Sequence, residues 1–354
     1  MNDTKISQRQ EQIILILQKK SQGLTRSELE LLLIDQNIEV SKVTLIRDLN
    51  ELTQLNQIST EGIGKATKYL INSHPLLEYL DIDTLFSKDV DQRDGQHSFN
   101  FSIFKDLKNI FTKEELVYLD KLNQKYKRNI ESISTDIYKK ELERFVIELS
   151  WKSSKIEGNT YTLLETEQLI KESKQAEGKT QAEAQMILNH KEAFDVILKN
   201  KNSFKSLTQQ DILDIHMVLV KDLNVKTGFR KYKVGITGTN YLPIDNQWQI
   251  EEVIQKLIEV IHATNHPLEK SFISIAMLSY IQAFNDGNKR TARLVGNALL
   301  IAHGYAPLSY RNVNELEFKK ALLAFYEQNN LSYFKQLFIN QFEFVVSNYF
   351  GSSS

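Results

Sequence analysis

Ala283-Phe-Asn-Asp-Gly-Asn-Lys-Arg-Thr-Ala-Arg293 decides the reading of the larger part of this chain. An apolar helical stretch, Ser271–Gln282, leads into it and a second, Arg290–Ala302, leads out, so the segment reads as a short loop closed by a helix N-terminus. Backbone N–H groups exposed there, with Gly287 free to take positive φ, make an anion-binding nest. Arg290 and Arg293 are three residues apart and share a helix face, so two guanidinium forks address the same loop. Asp286 supplies one carboxylate, the usual protein share of a Mg²⁺ otherwise held by water and phosphates. Together these parts describe a nucleotide-phosphate site without a Walker sequence. Each also has a plain structural reading, since Asp-Gly-Asn is common turn chemistry and arginines at this spacing often line a solvated helix face.

Composition bounds what surrounds the loop. The chain has 354 residues, 44 basic against 45 acidic side chains, four prolines and no cysteine. That length suggests two or three domains of roughly 150 residues each. Near neutrality excludes bulk electrostatic attraction to nucleic acid or membrane, and the lack of cysteine excludes disulfides, thiolate metal sites and a thiol nucleophile. Few prolines and glycines among plentiful Leu, Ile, Lys, Glu and Gln predict a mainly helical protein. The polar N-terminus offers no secretory leader, and the longest apolar run, Phe272 to Phe284, is too short to span a bilayer, which predicts a soluble, cytoplasmic protein.

The first 75 residues read as a small α+β domain. A helix over Gln8–Lys20 faces Ile13, Ile14 and Leu17 inward and stops at Gly23; Thr25 and Glu28 form a capping-box pattern that starts a second. A third begins after Ser41, with Val43, Leu45, Ile46, Leu49 and Leu52 as its apolar set and Lys42, Thr44 and Arg47 outside. Ile58 to Ile71 then reads as two short strands around a Gly62/Gly64 turn. This order resembles the winged helix-turn-helix domains of bacterial regulators. The resemblance implies DNA contacts by Lys42, Thr44 and Arg47 from the third helix, and phosphate contacts by Lys65 and Lys68 from the wing. Against it, residues 1–75 hold nine basic and nine acidic side chains, so one copy would bind DNA modestly and a homodimer would be needed. Residues 76–104 read as a connector, 105–345 as the main domain and 346–354 as a disordered tail.

Phe284, Asp286, Gly287, Asn288, Lys289, Arg290 and Arg293 together resemble the signature of the Fic (Fido) family. Upstream, Ser153-Ser-Lys-Ile-Glu-Gly-Asn159 resembles that family's inhibitory motif, with Ser153, Glu157 and Gly158 in place. Asn189–Ala193 and Ile212–His216 look like two of its helices. Gly228–Pro243 looks like its flap, read as two alternating strands on which Val234, Ile236, Gly238 and Tyr241 would clamp a target segment by strand addition. The resemblance implies an all-helical domain with a short β-hairpin flap, an inhibitory helix near 137–158, and transfer of AMP from Mg²⁺-bound ATP to a Ser, Thr or Tyr hydroxyl of a target protein.

One position departs from the pattern. Where the family has its catalytic His, two residues before Phe284, this chain has Gln282, and Ala283 follows where Pro is usual. A carboxamide positions a hydroxyl but cannot take its proton near neutral pH, and losing a general base costs roughly 10²- to 10⁴-fold. His262 and His266 lie more than two helical turns away and read as capping or packing residues, His216 reads as a core residue, and His190 as a helix-surface residue without a partner. The equivalent of Glu157 pairs with the second arginine, here Arg293, which keeps the γ-phosphate from its productive position; in some members it activates water. Two readings follow: a divergent nucleotidyltransferase slowed by Gln282, or a nucleotide-sensing, DNA-binding regulator without turnover.

Overall fold

All but two of the long helices in the C-terminal part start at a side chain that caps them, and these caps fix where those elements begin. The computed structural model describes residues 6–20, 22–55, 57–71 and 74–351. They form two compact units that divide between Leu85 and Phe86.

The first unit runs α1 (Gln8–Gln18), β1 (Leu24–Thr25), α2 (Arg26–Asp35), α3 (Lys42–Gln54), β2 (Ile58–Glu61) and β3 (Lys68–Ile71). Ser7 and Thr25 close capping boxes on α1 and α2, and Ser41 caps α3. The strands form an antiparallel sheet in the order β1-β3-β2, with Ile58 opposite Ile71. Ile13, Ile14, Leu17, Leu29, Leu33, Leu45, Leu49 and Leu52 make its core. Two members of the apolar set expected on α3 lie outside it: Val43 is 79% exposed and Ile46 is exposed as well. The inward stripe is Leu45, Asp48, Leu49 and Leu52, and Asp48 is accommodated there by a guanidinium pair with Arg9, whose Nη2 donates to its Oδ1 at 3.2 Å. Lys42, Arg47 and Lys68 are exposed and Thr44 is half-buried, its Oγ1 2.8 Å from the Ser41 Oγ. The Lys65 side chain lies outside the described residues.

After α4 (Ile82–Phe86), the second unit is α5 (Lys113–Ser132), α6 (Thr135–Ile156), α7 (Leu163–Glu172), α8 (Gln181–Lys199), α9 (Gln209–Leu219), α10 (Gln247–Ala263), α11 (Pro267–Ile281), α12 (Asn288–Ala302), α13 (Glu315–Gln328) and α14 (Ser332–Asn348). The expected mainly helical class holds. Helix α11 is the axis of the domain: every residue from Leu268 to Ile281 is buried. It packs closely on α12 because Gly296 leaves room; a Cβ there would lie 2.4 Å from the Cγ1 of Ile275. No helix among the described residues is long and apolar enough to cross a membrane.

Three details differ from the sequence reading. Residues 228–243 form no β-hairpin. Their backbone bonds go elsewhere: the Arg230 N–H donates to the Ala283 carbonyl at 3.0 Å, and the Leu242 N–H to the His97 carbonyl at 2.9 Å. Of the connector expected over residues 76–104, residues 76–85 fall in the first unit and 86–104 in the second, the latter held by bonds to α11 and α13. The last residues are not a disordered tail up to 351, because α14 runs to Asn348 and the Tyr349 and Phe350 rings are buried against Phe145, Tyr126 and Tyr138. Residues 352–354 lie outside the described residues.

Candidate functional site

Helix α11 ends at Gln282, which takes the left-handed conformation (φ 53°, ψ 54°) and turns the chain into the loop that opens α12. Three side chains fix that loop. Asn288 spans it: its Oδ1 accepts from the Phe284 N–H and its Nδ2 donates to the Phe284 carbonyl, both at 2.8 Å. His216 on α9 lies flat on the Phe284 ring, with centroids 3.7 Å apart, and its Nε2 is 3.0 Å from the Asp286 carbonyl. A carbonyl only accepts, so His216 carries its proton on Nε2. Arg230, fully buried, donates from Nε to the Gln282 carbonyl at 2.6 Å and from Nη1 to the Tyr232 carbonyl at 2.8 Å, and also binds the Ile244 carbonyl. It satisfies the C-terminal end of α11, where a positive charge is favoured.

Gly287 (φ 80°) is the N-cap of α12 and has no side chain to offer its first turn. The first-turn N–H groups are therefore open to an acceptor from outside the chain. Arg290 lies immediately beneath, 1% exposed, with Nη2 3.2 Å from the Asp286 carboxylate and with Nε and Nη1 bonded to nothing within the protein. Burial lowers its pKa, with Asp286 and Glu157 pulling the other way. A guanidinium nonetheless stays charged, so two buried donors here lack an acceptor. The Asp286 side chain itself is exposed.

Glu157 is delivered from the other side. Helix α6 stops when Gly158 turns left-handed (φ 96°), which sets Glu157 at the helix's C-cap. Its Oε1 accepts from Arg293 Nη1 at 2.9 Å and its Oε2 lies 3.4 Å from Lys289 Nζ. Arg293 is fully buried and completes its bonding on Ser153, from Nε to Oγ at 3.0 Å and from Nη2 to the carbonyl at 2.8 Å. Desolvation pushes the Glu157 pKa up, but Arg293 and Lys289 together outweigh it and hold the carboxyl below its ordinary range.

The site thus brings together Glu157, Phe284, Asp286, Gly287, Asn288, Lys289, Arg290 and Arg293. Gln282 is adjacent, but its side chain turns back on α11, donating from Nε2 to the Ser279 carbonyl at 2.6 Å. In the 228–243 segment Val234, Ile236 and Gly238 are half-buried. Tyr241 is buried, with its hydroxyl on the Tyr280 carbonyl at 3.0 Å, so it anchors the core and offers no docking surface. His190 likewise is not on the surface: it is fully buried in α8 with neither ring nitrogen bonded. His262 meets the Leu207 carbonyl, and His266 caps α11 by accepting from the Leu268 N–H. Sequence reasoning missed His216 and Arg230 as holders of the loop. The only available signal was a polar residue interrupting an apolar helix face at His216, and none marked Arg230.

Burial lowers both site-flanking histidines, His190 strongly and His216 to about 4. A base with a depressed folded value binds its proton more tightly when unfolded, so stability is lost as pH falls below the ordinary histidine value near 6.5. Urea unfolding is expected to show a loss of about 1.4 kcal/mol per pH unit for each buried histidine between about pH 6 and pH 5. A flat profile over that window would contradict two neutral buried imidazoles.

Comparison with known proteins places this geometry. Residues 206–300 match the Fic/DOC family. A protein adenylyltransferase Fic of Nematostella vectensis is 31% identical over 171 residues, 46% of this chain and 39% of that protein. One from Culex quinquefasciatus is 28% identical over 189 residues, 51% of this chain and 37% of its own length. The chain thus spans well under half the length of these relatives. Among solved structures, a Fic domain-containing signaling protein from Bacteroides thetaiotaomicron shares the fold with a TM-score of 0.55 at 19% identity, covering 65% of this chain and 94% of its own. A Fic family protein from Desulfovibrio desulfuricans G20 gives 0.56 at 21%, covering 68% and 75%.

Proposed function

We propose that the Fic/DOC domain binds an ATP-like nucleoside triphosphate with Mg²⁺, that Glu157 restrains it, and that it transfers the nucleotidyl group to a protein hydroxyl slowly because Gln282 stands where the family has its base. The observation that carries the reading is Arg290: a buried guanidinium with two donors unbonded, beneath a helix start that no side chain caps. Phosphate oxygens supply what both lack.

The fit to Mg²⁺ is narrower. Among the described residues no group of three or more acidic or histidine side chains could hold a metal ion, so the protein share is the exposed Asp286 carboxylate and the remaining ligands must come from phosphate and water. The metal, when bound, neutralises phosphate charge. The chain's own residues do the rest: Asn288 and His216 hold the loop, Arg290 meets phosphate, and Glu157 occupies Arg293.

Titration calorimetry with ATP and Mg²⁺, followed by intact-mass analysis, tests this. Saturable binding with little or no added mass is expected of the parent chain. Binding with no transfer under any condition would favour a nucleotide-sensing regulator. No binding by the parent or by a Glu157→Gly form would overturn the proposal. The first unit gives nucleic acid little purchase: up to Leu85 it holds nine basic against twelve acidic side chains, and Arg47 lies 3.8 Å from Glu51.

A further inference from the structure

Residues 89–100 have almost no regular structure of their own, only a 3-10 turn at Val90–Gln92, and yet they are bonded along their whole length. Asn240 Nδ2 donates to the Val90 carbonyl at 3.3 Å and to the Asp91 carboxylate at 3.2 Å. The Arg93 fork meets the Glu327 carboxylate with both arms, at 3.0 and 2.9 Å, and one of them also reaches the Gly238 carbonyl at 2.5 Å. Both charged side chains of that pair are 6% exposed. Gly95 presses on the end of α13, where a Cβ would come within 2.9 Å of the Glu327 carbonyl oxygen, and the Gln96 N–H donates to that same oxygen at 2.7 Å. Next, the His97 carbonyl accepts from Leu242, and Ser98 bridges Leu242 in parallel. Finally Phe99 stacks on Tyr280 with centroids 4.7 Å apart, and the Asn100 N–H donates to the Tyr280 hydroxyl at 3.0 Å.

We propose that this stretch is an intramolecular strap that sets the position of residues 238–242 and of the Gln282 end of α11, so that a displacement of the strap displaces both. The 228–243 segment has no strand ladder to hold it. Beyond Arg230, which ties its start to the Ala283 and Gln282 carbonyls, its fixed points are Gly238, Asn240 and Leu242, each bonded to the strap, and Tyr241, whose hydroxyl bonds to the carbonyl of the same Tyr280 that the strap grips. Tyr280 is two residues before Gln282, so one tyrosine joins strap, segment and loop. A bidentate ion pair largely removed from water is a stiff connection, and Arg93–Glu327 supplies it at the strap's middle. The strap follows directly on α4, which crosses the division between the two units, so the covalent path from the first unit to the candidate site runs through it. This inference goes beyond the proposed chemistry and requires no nucleotide.

Amide hydrogen exchange on the full-length chain tests it. Arg93→Ala is expected to speed exchange at Leu242 and Gln96 by about tenfold or more while amides within α12 keep their rates, the signature of a local opening. The reciprocal variant, Leu242→Pro, removes the donor to His97 at a residue whose side chain is 60% exposed, and should speed exchange at Gln96. Unchanged rates at Gln96 in Leu242→Pro would overturn the strap, and so would a uniform acceleration that includes α12 in both variants. If Arg93→Ala does not fold, the Leu242→Pro result decides alone.

Discussion

Glu157→Gly is expected to tighten Mg²⁺-ATP binding by about tenfold or more and to lower the unfolding free energy of the nucleotide-free protein by about 3 kcal/mol. Both effects have one source. Arg293 is fully buried, and its bonds are shared between Ser153 and Glu157. Removing the carboxylate leaves a buried cation with one arm unsatisfied, and breaking such a pair from one side typically costs about 3–5 kcal/mol. A triphosphate presents the oxygen that Glu157 withheld, so the variant recovers in its nucleotide complex what it loses alone. Thermal unfolding with and without Mg²⁺-ATP, beside calorimetric Kd values, reads both halves. Equal nucleotide affinity in the two proteins would show that Glu157 is an ordinary structural ion pair. The Glu157 carboxyl is held low, so its contribution is present above the unfolded carboxylate value and fades only as pH falls through the lower folded one. The comparison therefore holds near neutrality.

Combining Glu157→Gly with Gln282→His should produce the largest change in chemistry, roughly 10²- to 10⁴-fold over Glu157→Gly alone, observed as nucleotidyl mass added to the protein itself or to a co-expressed target. The geometry makes the substitution specific. Gln282 Nε2 is tied to the Ser279 carbonyl, and the loop beyond is fixed by Asn288, His216 and Arg230, none of which depends on the carboxamide. An imidazole there brings a proton acceptor to a loop already in place. Gln282→His alone should do less, since Arg293 stays occupied. A double variant that binds ATP and adds no mass to any protein would show that the site has lost more than its base.

How far the sequence reveals this site depends on whether the interactions are local or distant. The loop between α11 and α12 was legible because Gly287, Asn288 and two arginines one helical turn apart act within a dozen residues of one another. The Glu157–Arg293 pair spans 136 positions and was reached only through the family resemblance. Arg230 and His216 were not legible as loop holders, because what they bind is backbone carbonyl, which carries no residue identity. The strap was read only as part of a connector for a related reason: it has no periodicity, and its main partner, Glu327, lies 234 residues away. The β-hairpin expected over 228–243 failed where alternation was taken for pairing, since that segment gives its N–H groups to other neighbours. On α3 the polar Asp48 takes an inward position through its distant partner Arg9, while Val43 is exposed.

The left-handed backbone at Gln282 has a genetic consequence. Such a conformation costs a side-chain-bearing residue roughly 1–2 kcal/mol whether that residue is glutamine or histidine, so exchanging one for the other alters no backbone strain. The codons of these two amino acids differ only in their third base. A single point mutation in the gene would thus put an imidazole on a turn that already tolerates it.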